Sequence, residues 1–245
     1  MTHNYRNEVS RENHSPFEVN YKFSNLWISV DTISFSQDML SYSLEELMRI
    51  INSIEKYIES FPIFKDTLQA YEVSDPSGCE EVIVEMTKAS YMADVGPMAS
   101  VAGAVAQALG RKLKTEFSIN DIIVENGGDV YIDTTEDVRI SVLTNNTVLP
   151  ERIKLNLQKS HMPLGVCSSS GIFGHSFSKG KADVVVAISH NAAISDAFAT
   201  AICNQICSAS DIEHVLYKFQ ENESLLGVMA ICEKTLGMIG QINLL

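Results

Sequence analysis

Apolar and polar positions alternate along this chain in two periods, and the change of period marks its elements. Tyr21–Val30 and Thr32–Phe35 read as strands, with Phe23, Trp27, Ile33 and Phe35 supplying bulk. Leu47, Ile50, Ile51, Ile54 and Ile58 then fall at helical spacing. Ser43 is the expected N-cap of that helix, Glu46 stands at the capping-box position, and Pro62 closes the segment. Val73–Cys79 reads as a turn and Val82–Met86 as a strand. From Pro97 to about Lys114 the pattern is helical and crowded with small residues, which let another backbone come close. Ile122–Val124, Val130–Ile132, Val138–Leu143, Ile153–Leu157 and Val184–Ser189 are the next expected strands. Helices follow from Ser195 and from about Asp211 to Glu221. Leu226–Cys232 and Leu236–Ile242 close the chain as a strand pair. Residues 1–20 read as a loose arm and 21–245 as one domain of α+β (mixed α/β) class.

Composition narrows the function classes. The 245 residues are 45% hydrophobic, enough for one well-buried domain. A net charge of −13 argues against nucleic acid and against an anionic membrane surface. Any anionic ligand must then be held by backbone amides, helix N-termini or a metal. Met1–Phe17 has no apolar core of a signal peptide, and no run is long enough to span a membrane, so a soluble cytoplasmic protein is expected. Five cysteines without a CxxC pair point to free thiols; Cys203 and Cys207, four apart on an expected helix, could suit a metal, but with no second pair to complete four ligands they read as buried structural thiols.

Four short segments carry candidate chemistry. Asp94-Val-Gly96-Pro97 leads into a helix whose first amides suit an anion, although an ordinary capped helix start explains it equally well; Ser100 adds a hydroxyl or faces solvent. Asn126-Gly127-Gly128-Asp129 is a hairpin turn, and its glycines would also let a flat or phosphorylated ligand approach. Cys167, Ser168, Ser169, Ser170 and Gly171, with Gly174, His175 and Ser176, offer hydroxyls and amides to phosphate. There Cys167 and His175 are a conceivable nucleophile and base, and Lys179 or Lys181 a phosphate contact. Ser195, as N-cap, would place Asp196 in the first helical turn with Thr200 on the same face, a pair of hard oxygens suited to Mg²⁺, although a first-turn acid favouring the helix dipole beside an incidental threonine explains the spacing equally well.

In order, these segments resemble the ApbE family of flavin-handling proteins over roughly residues 80–210. That family carries a D-x-G-G-x-A-K-G helix start, an N-x-G-G-(D/N) turn, a T-S-G loop with a later histidine and an A-D-x-x-A-T-A helix. The run from Cys167 to Asp183 looks closest to a shortened cytoplasmic ApbE-like branch of archaea and anaerobic bacteria. The resemblance implies an ApbE-like domain with sheets packed against helices and a central ligand cleft that takes FAD. Asp196, Thr200 and a carbonyl near Ala99 would hold Mg²⁺, and Asp94, Gly96, Ser100, the 126–129 turn, Ser169–Gly171, His175 and Lys179 would line the ligand. The implied activity is cleavage of FAD, as an FMN transferase acting on a threonine of an acceptor protein or as a pyrophosphatase releasing FMN and AMP, with Asp196, His175 and Cys167 as catalytic candidates. Here Pro97 and Ser100 replace a family glycine and lysine, and the family's I-D-P-x-T-G segment is absent. The alternative is therefore a relative that binds flavin or another phosphorylated ligand without transfer, or that serves anaerobic sulfur metabolism through Cys167. The chain leaves room for a homo-oligomer.

Overall fold

A computed structural model of the chain describes residues 13–73, 76–144, 152–171 and 180–245. An antiparallel sheet of eight strands forms its centre. These are β1 (His14–Tyr21), β2 (Ser24–Asp31), β3 (Ile122–Asn126), β4 (Asp129–Asp133), β7 (Leu164–Ser169), β8 (Val184–Ser189), β9 (Gly227–Cys232) and β10 (Thr235–Gly240), adjacent in that order. β5 (Val138–Leu143) and β6 (Arg152–Leu157) form a separate ribbon.

The helices α1 (Asp38–Ser60), α2 (Ile63–Asp66), α3 (Glu81–Ala93), α4 (Val101–Phe117), α5 (Ala192–Gln205) and α6 (Ile212–Phe219) complete the fold. Strand alternation explains the layering. In β8, Val185 and Ala187 belong to the helical core, whereas Val184, Val186 and Ile188 pack with Val138, Ile153 and Leu155 of the ribbon. A central strand covered on both faces needs an unbroken apolar run, which β8 has.

Several expectations change. Residues 14–20, read as arm, belong to β1: Phe17 and Val19 alternate into the helical core, and Pro16 is tolerated because β1 is an edge strand. Residues 1–12 lie outside the described residues. Thr32–Phe35 is a turn leaving β2 rather than a strand, with the Ser34 amide bonded to Asp31. Val82–Met86 belongs to α3, because the buried positions Val82, Met86, Ala89, Ser90 and Ala93 continue at helical spacing beyond the apolar run. Ser43 is not a cap: α1 begins five residues earlier, and Ser43 is buried on its inner face with Met39, Leu47, Ile50 and Ile54. Among the described residues, no helix is long and apolar enough to cross a membrane. The cysteines are free; Cys203 is buried, whereas Cys207 is exposed beyond the end of α5, so the two are not a helical pair.

Candidate functional site

The hairpin turn between β3 and β4 forms one wall of the candidate site. Gly127 and Gly128 adopt φ of 68° and 108°, as a tight antiparallel turn demands. Glu125 Oε1 accepts from the Gly128 amide at 2.7 Å, and Asn126 Nδ2 donates to the Ala102 carbonyl at 3.2 Å. That second bond ties the turn to the start of α4.

α4 does not begin at Pro97 as one helix. Pro97–Ser100 make a 3₁₀ turn, and the backbone breaks at Ser100 (φ −123°, ψ 5°) before the α-helix starts. A continuous helix would direct the Gly103 amide at the Ala99 carbonyl. It donates instead to Asp196 Oδ2 at 2.9 Å, and the Ala102 amide also bonds this carboxylate. The anion at the N-terminus of α4 is thus a side chain of the protein itself. Close approach makes the bond possible, since a Cβ on Gly103 would lie 2.3 Å from the Ala192 carbonyl.

Asp196 and Thr200 share a face of α5, and each is 8% exposed. A metal ligand in an open cleft would be accessible to solvent; the structure buries Asp196. Nor is Ser195 the N-cap. Asn191 is, its side chain accepting from the Ile194 amide at 3.1 Å, while Ser195 is buried and donates to the Gly165 carbonyl at 2.9 Å. Serine serves both as a cap and as a small buried hydroxyl, and Asn191 ahead of two alanines was the stronger cap signal.

β4 and β7 supply the opposite wall. Asp129 accepts from the Ser168 amide at 3.1 Å, and Cys167 Sγ lies within hydrogen-bond reach of both Asp129 and the Ala192 carbonyl. Burial first, then the charge of Asp129, raises the Asp196 carboxyl well above the usual range against the pull of the two α4 amides. Burial likewise raises Asp129, opposed by the Ser168 amide and Cys167. Burial and both carboxylates push the Cys167 thiol up, so it stays protonated and shielded, unlike an activated nucleophile. Ser169, on the same face of β7 as Cys167, has a buried hydroxyl with no hydrogen-bond partner among the described residues.

The structure therefore gathers Asn126, Gly128, Asp129, Cys167, Ser168 and Asp196 around the start of α4. Other expected residues are explained by packing. Asp94 is exposed at the left-handed C-cap of α3, and a Cβ on Gly96 would meet the Thr67 carbonyl at 1.9 Å. Ser100 neither faces solvent nor the cluster's carboxylates: its hydroxyl donates to the Pro97 carbonyl at 2.8 Å. Gly171 fits against the Gly180 carbonyl, and Ser170 is half-buried. Ala99 is half-buried in the 3₁₀ turn. His175 and Lys179 lie outside the described residues. Sequence reasoning missed Glu125, Gln107 and Glu85, whose partners are distant or backbone groups that no periodicity announces.

For Mg²⁺ the donor chemistry fits. Asp196, Thr200 and the Ala99 carbonyl are hard oxygens, and the charge of buried Asp129 acts on buried Asp196 with no lysine or arginine acting on either among the described residues. No cluster of three His, Cys, Asp or Glu side chains suited to a metal exists among the described residues, so such an ion would depend on waters and ligand phosphate as well.

Residues 6–237 match the protein-family model described as AbpE bacteria. A UPF0280 protein of Methanocaldococcus jannaschii is 32% identical over 226 residues, covering 90% of this chain and 88% of that protein. One of Methanococcus maripaludis is 33% identical over 229 residues, covering 92% and 90%. Among solved structures, the apo flavinyl transferase ApbE of Pseudomonas stutzeri matches with a TM-score of 0.60 at 11% identity, over 96% of this chain and 95% of that one. The ApbE protein of Thermotoga maritima matches at 0.58 and 13%, over 94% and 97%. At such identity the structural likeness speaks for the fold.

Proposed function

The chain belongs to the ApbE-like family described as AbpE bacteria, and on that premise we propose that it binds FAD beside a Mg²⁺ held by Asp196, Thr200 and the Ala99 carbonyl. The reaction is cleavage of the FAD pyrophosphate, in which the FMN phosphoryl group passes to a threonine hydroxyl of an acceptor protein, or to water, and AMP leaves in either case. One observation carries the reading: Asp196, on a buried helix, is turned to the first amides of α4 and feels the charge of a second buried carboxylate, Asp129. Burying two like charges together is costly unless a proton or a cation neutralises one of them, and Mg²⁺ is the cation that this donor set suits.

When bound, Mg²⁺ would supply charge neutralisation at the diphosphate. The chain's own residues supply placement. Asn126 anchors the turn to α4, and at Gly127 nothing among the described residues lies within 4 Å of a Cβ position, so a flat ring meets none of their side chains there. The Ser169 hydroxyl, without a partner among the described residues, offers a donor to a phosphate oxygen. His175, Lys179, Asp94 and Gly96 remain contacts inferred from the resemblance. Cys167 acts as a buried neutral donor in this reading.

Ser100 favours a second reading. It stands where the family has lysine, and its hydroxyl is committed to its own turn, so no cation extends from that position. Such a protein would bind flavin or another phosphorylated ligand without transferring it. Incubation with FAD, with and without Mg²⁺, followed by chromatography of AMP and FMN, separates the two. Metal-dependent AMP that disappears in Asp196→Asn supports cleavage. Bound FAD that stays intact supports the second reading, and neither binding nor cleavage refutes both.

A further inference from the structure

The Glu85 carboxylate joins three elements at the entry to α5. It accepts from Asn191 Nδ2 and, at 3.3 Å, from Gln107 Nε2, while Arg111 lies 4.0 Å away. Gln107, buried on α4, accepts the Ala192 amide at 2.8 Å, and Asn191 caps the Ile194 amide. The opening amides of α5 thus end on side chains anchored by α3 and α4.

These ties pair with the candidate site in a simple geometry. Gln107 lies one turn after Gly103 on α4, and Ala192 one turn before Asp196 on α5. The Gln107–Ala192 and Gly103–Asp196 bonds are therefore successive links across one antiparallel helix crossing. The surfaces between them are small: Gly103 packs against the Ala192 carbonyl, and Ala104 and Ala106 line the same core as Ala193 and Ala197. Small residues allow close approach but give little interlocking against rotation, and a slip of one residue turns a side chain by about 100°. Toward α4, directed hydrogen bonds therefore set the rotation of α5, while Phe198 and Ile202 hold its other side in the core.

We infer that Glu85 is a positioning residue: through Asn191 and Gln107 it fixes the rotation of α5 that brings Asp196 and Thr200 to the start of α4. Only the identity of the ion rests on the preceding reading; the placement of Asp196 does not. Glu85→Gln keeps an acceptor oxygen for Asn191, and Glu85→Ala removes it.

Amide hydrogen exchange on the full chain tests this, with Gly103 reporting on Asp196 and Leu113, far along α4, as reference. In Glu85→Ala, Gly103 exchange rises about tenfold while Leu113 stays near wild type, and Glu85→Gln restores Gly103. Mg²⁺ affinity in the presence of FAD falls about tenfold in the alanine variant and recovers in the glutamine variant. Unchanged Gly103 exchange in Glu85→Ala overturns the inference. So does a glutamine variant as impaired as alanine, or an equal rise at Gly103 and Leu113, which marks general destabilisation. A wild-type chain that takes up no Mg²⁺ with FAD defeats the metal reading alone, and the exchange data still decide the role of Glu85.

Discussion

Asp196 and Asp31 are carboxylates in opposite circumstances. Burial and the charge of Asp129 work against ionised Asp196, and two amides only partly offset them. Asp196→Asn keeps an oxygen for the Gly103 amide and removes the repulsion. The variant should therefore unfold, in chelator, at a midpoint equal to or above wild type, while its Mg²⁺ affinity with FAD falls about a hundredfold. Thermal melts and titration calorimetry check the two halves. At Asp31, burial also pulls the carboxyl up, but hydrogen bonds from Asp121, Ser34 and Asn120 outweigh it and hold it below its ordinary value. Oδ1 accepts from Ser34 at 3.0 Å, and Oδ2 from Asn120 and Asp121 at 3.2 Å each. Folding thus favours the charged form. That stabilisation is complete above the unfolded pKa of about 4 and is lost as pH falls through the lower folded value. Asp31→Asn should lower stability at neutral pH by about 1 kcal/mol, allowing for solvent screening, and the gap should close in acid. Denaturant melts across pH read both.

At the scale of elements, the α4–α5 crossing controls the site. A Cβ on Gly103 would lie 2.3 Å from the Ala192 carbonyl and 3.0 Å from Asp196 Cβ, and neither the backbone nor the base of a side chain can swing away. Gly103→Ala should destabilise by about 2 kcal/mol, roughly 4–8 °C in melting midpoint, and should weaken Mg²⁺ binding with it. Calorimetric melts and metal titration give both numbers. The possibility of this crossing was legible in the small residues after Pro97, as was the hairpin in Asn126-Gly-Gly-Asp129. The edges of elements were less so. Val82–Met86 misled because a short β-branched run fits strand and helix alike, and its helical partners Ala89, Ser90 and Ala93 lie beyond it. Ser43 and Ser195 misled because their hydroxyls pack inside helices that start earlier.

For the molecule as a whole, sheet topology brings distant segments to one place. β4 and β7 are neighbours, so Asp129 meets Cys167 and Ser168, while α4 and α5 pack on the same face and bring Gly103 to Asp196. The sequence offered residue types suited to chemistry, and the shared face of Asp196 and Thr200 was legible from their spacing. It could not show that Asp196 is buried, or that Glu85 reaches Asn191, because those contacts depend on how helices pack and not on local pattern. A chain of net charge −13 gives an anionic nucleotide no help from its overall field, so binding must rest on these local groups. The most direct test is a crystal structure of the chain with FAD and Mn²⁺, whose anomalous scattering locates the ion. The expected result is a peak about 2.1 Å from the Asp196 carboxylate, with Thr200 and the Ala99 carbonyl in the same coordination sphere and a flavin diphosphate oxygen completing it. Well-ordered FAD with no ion at Asp196, or an ion bound elsewhere, would contradict it.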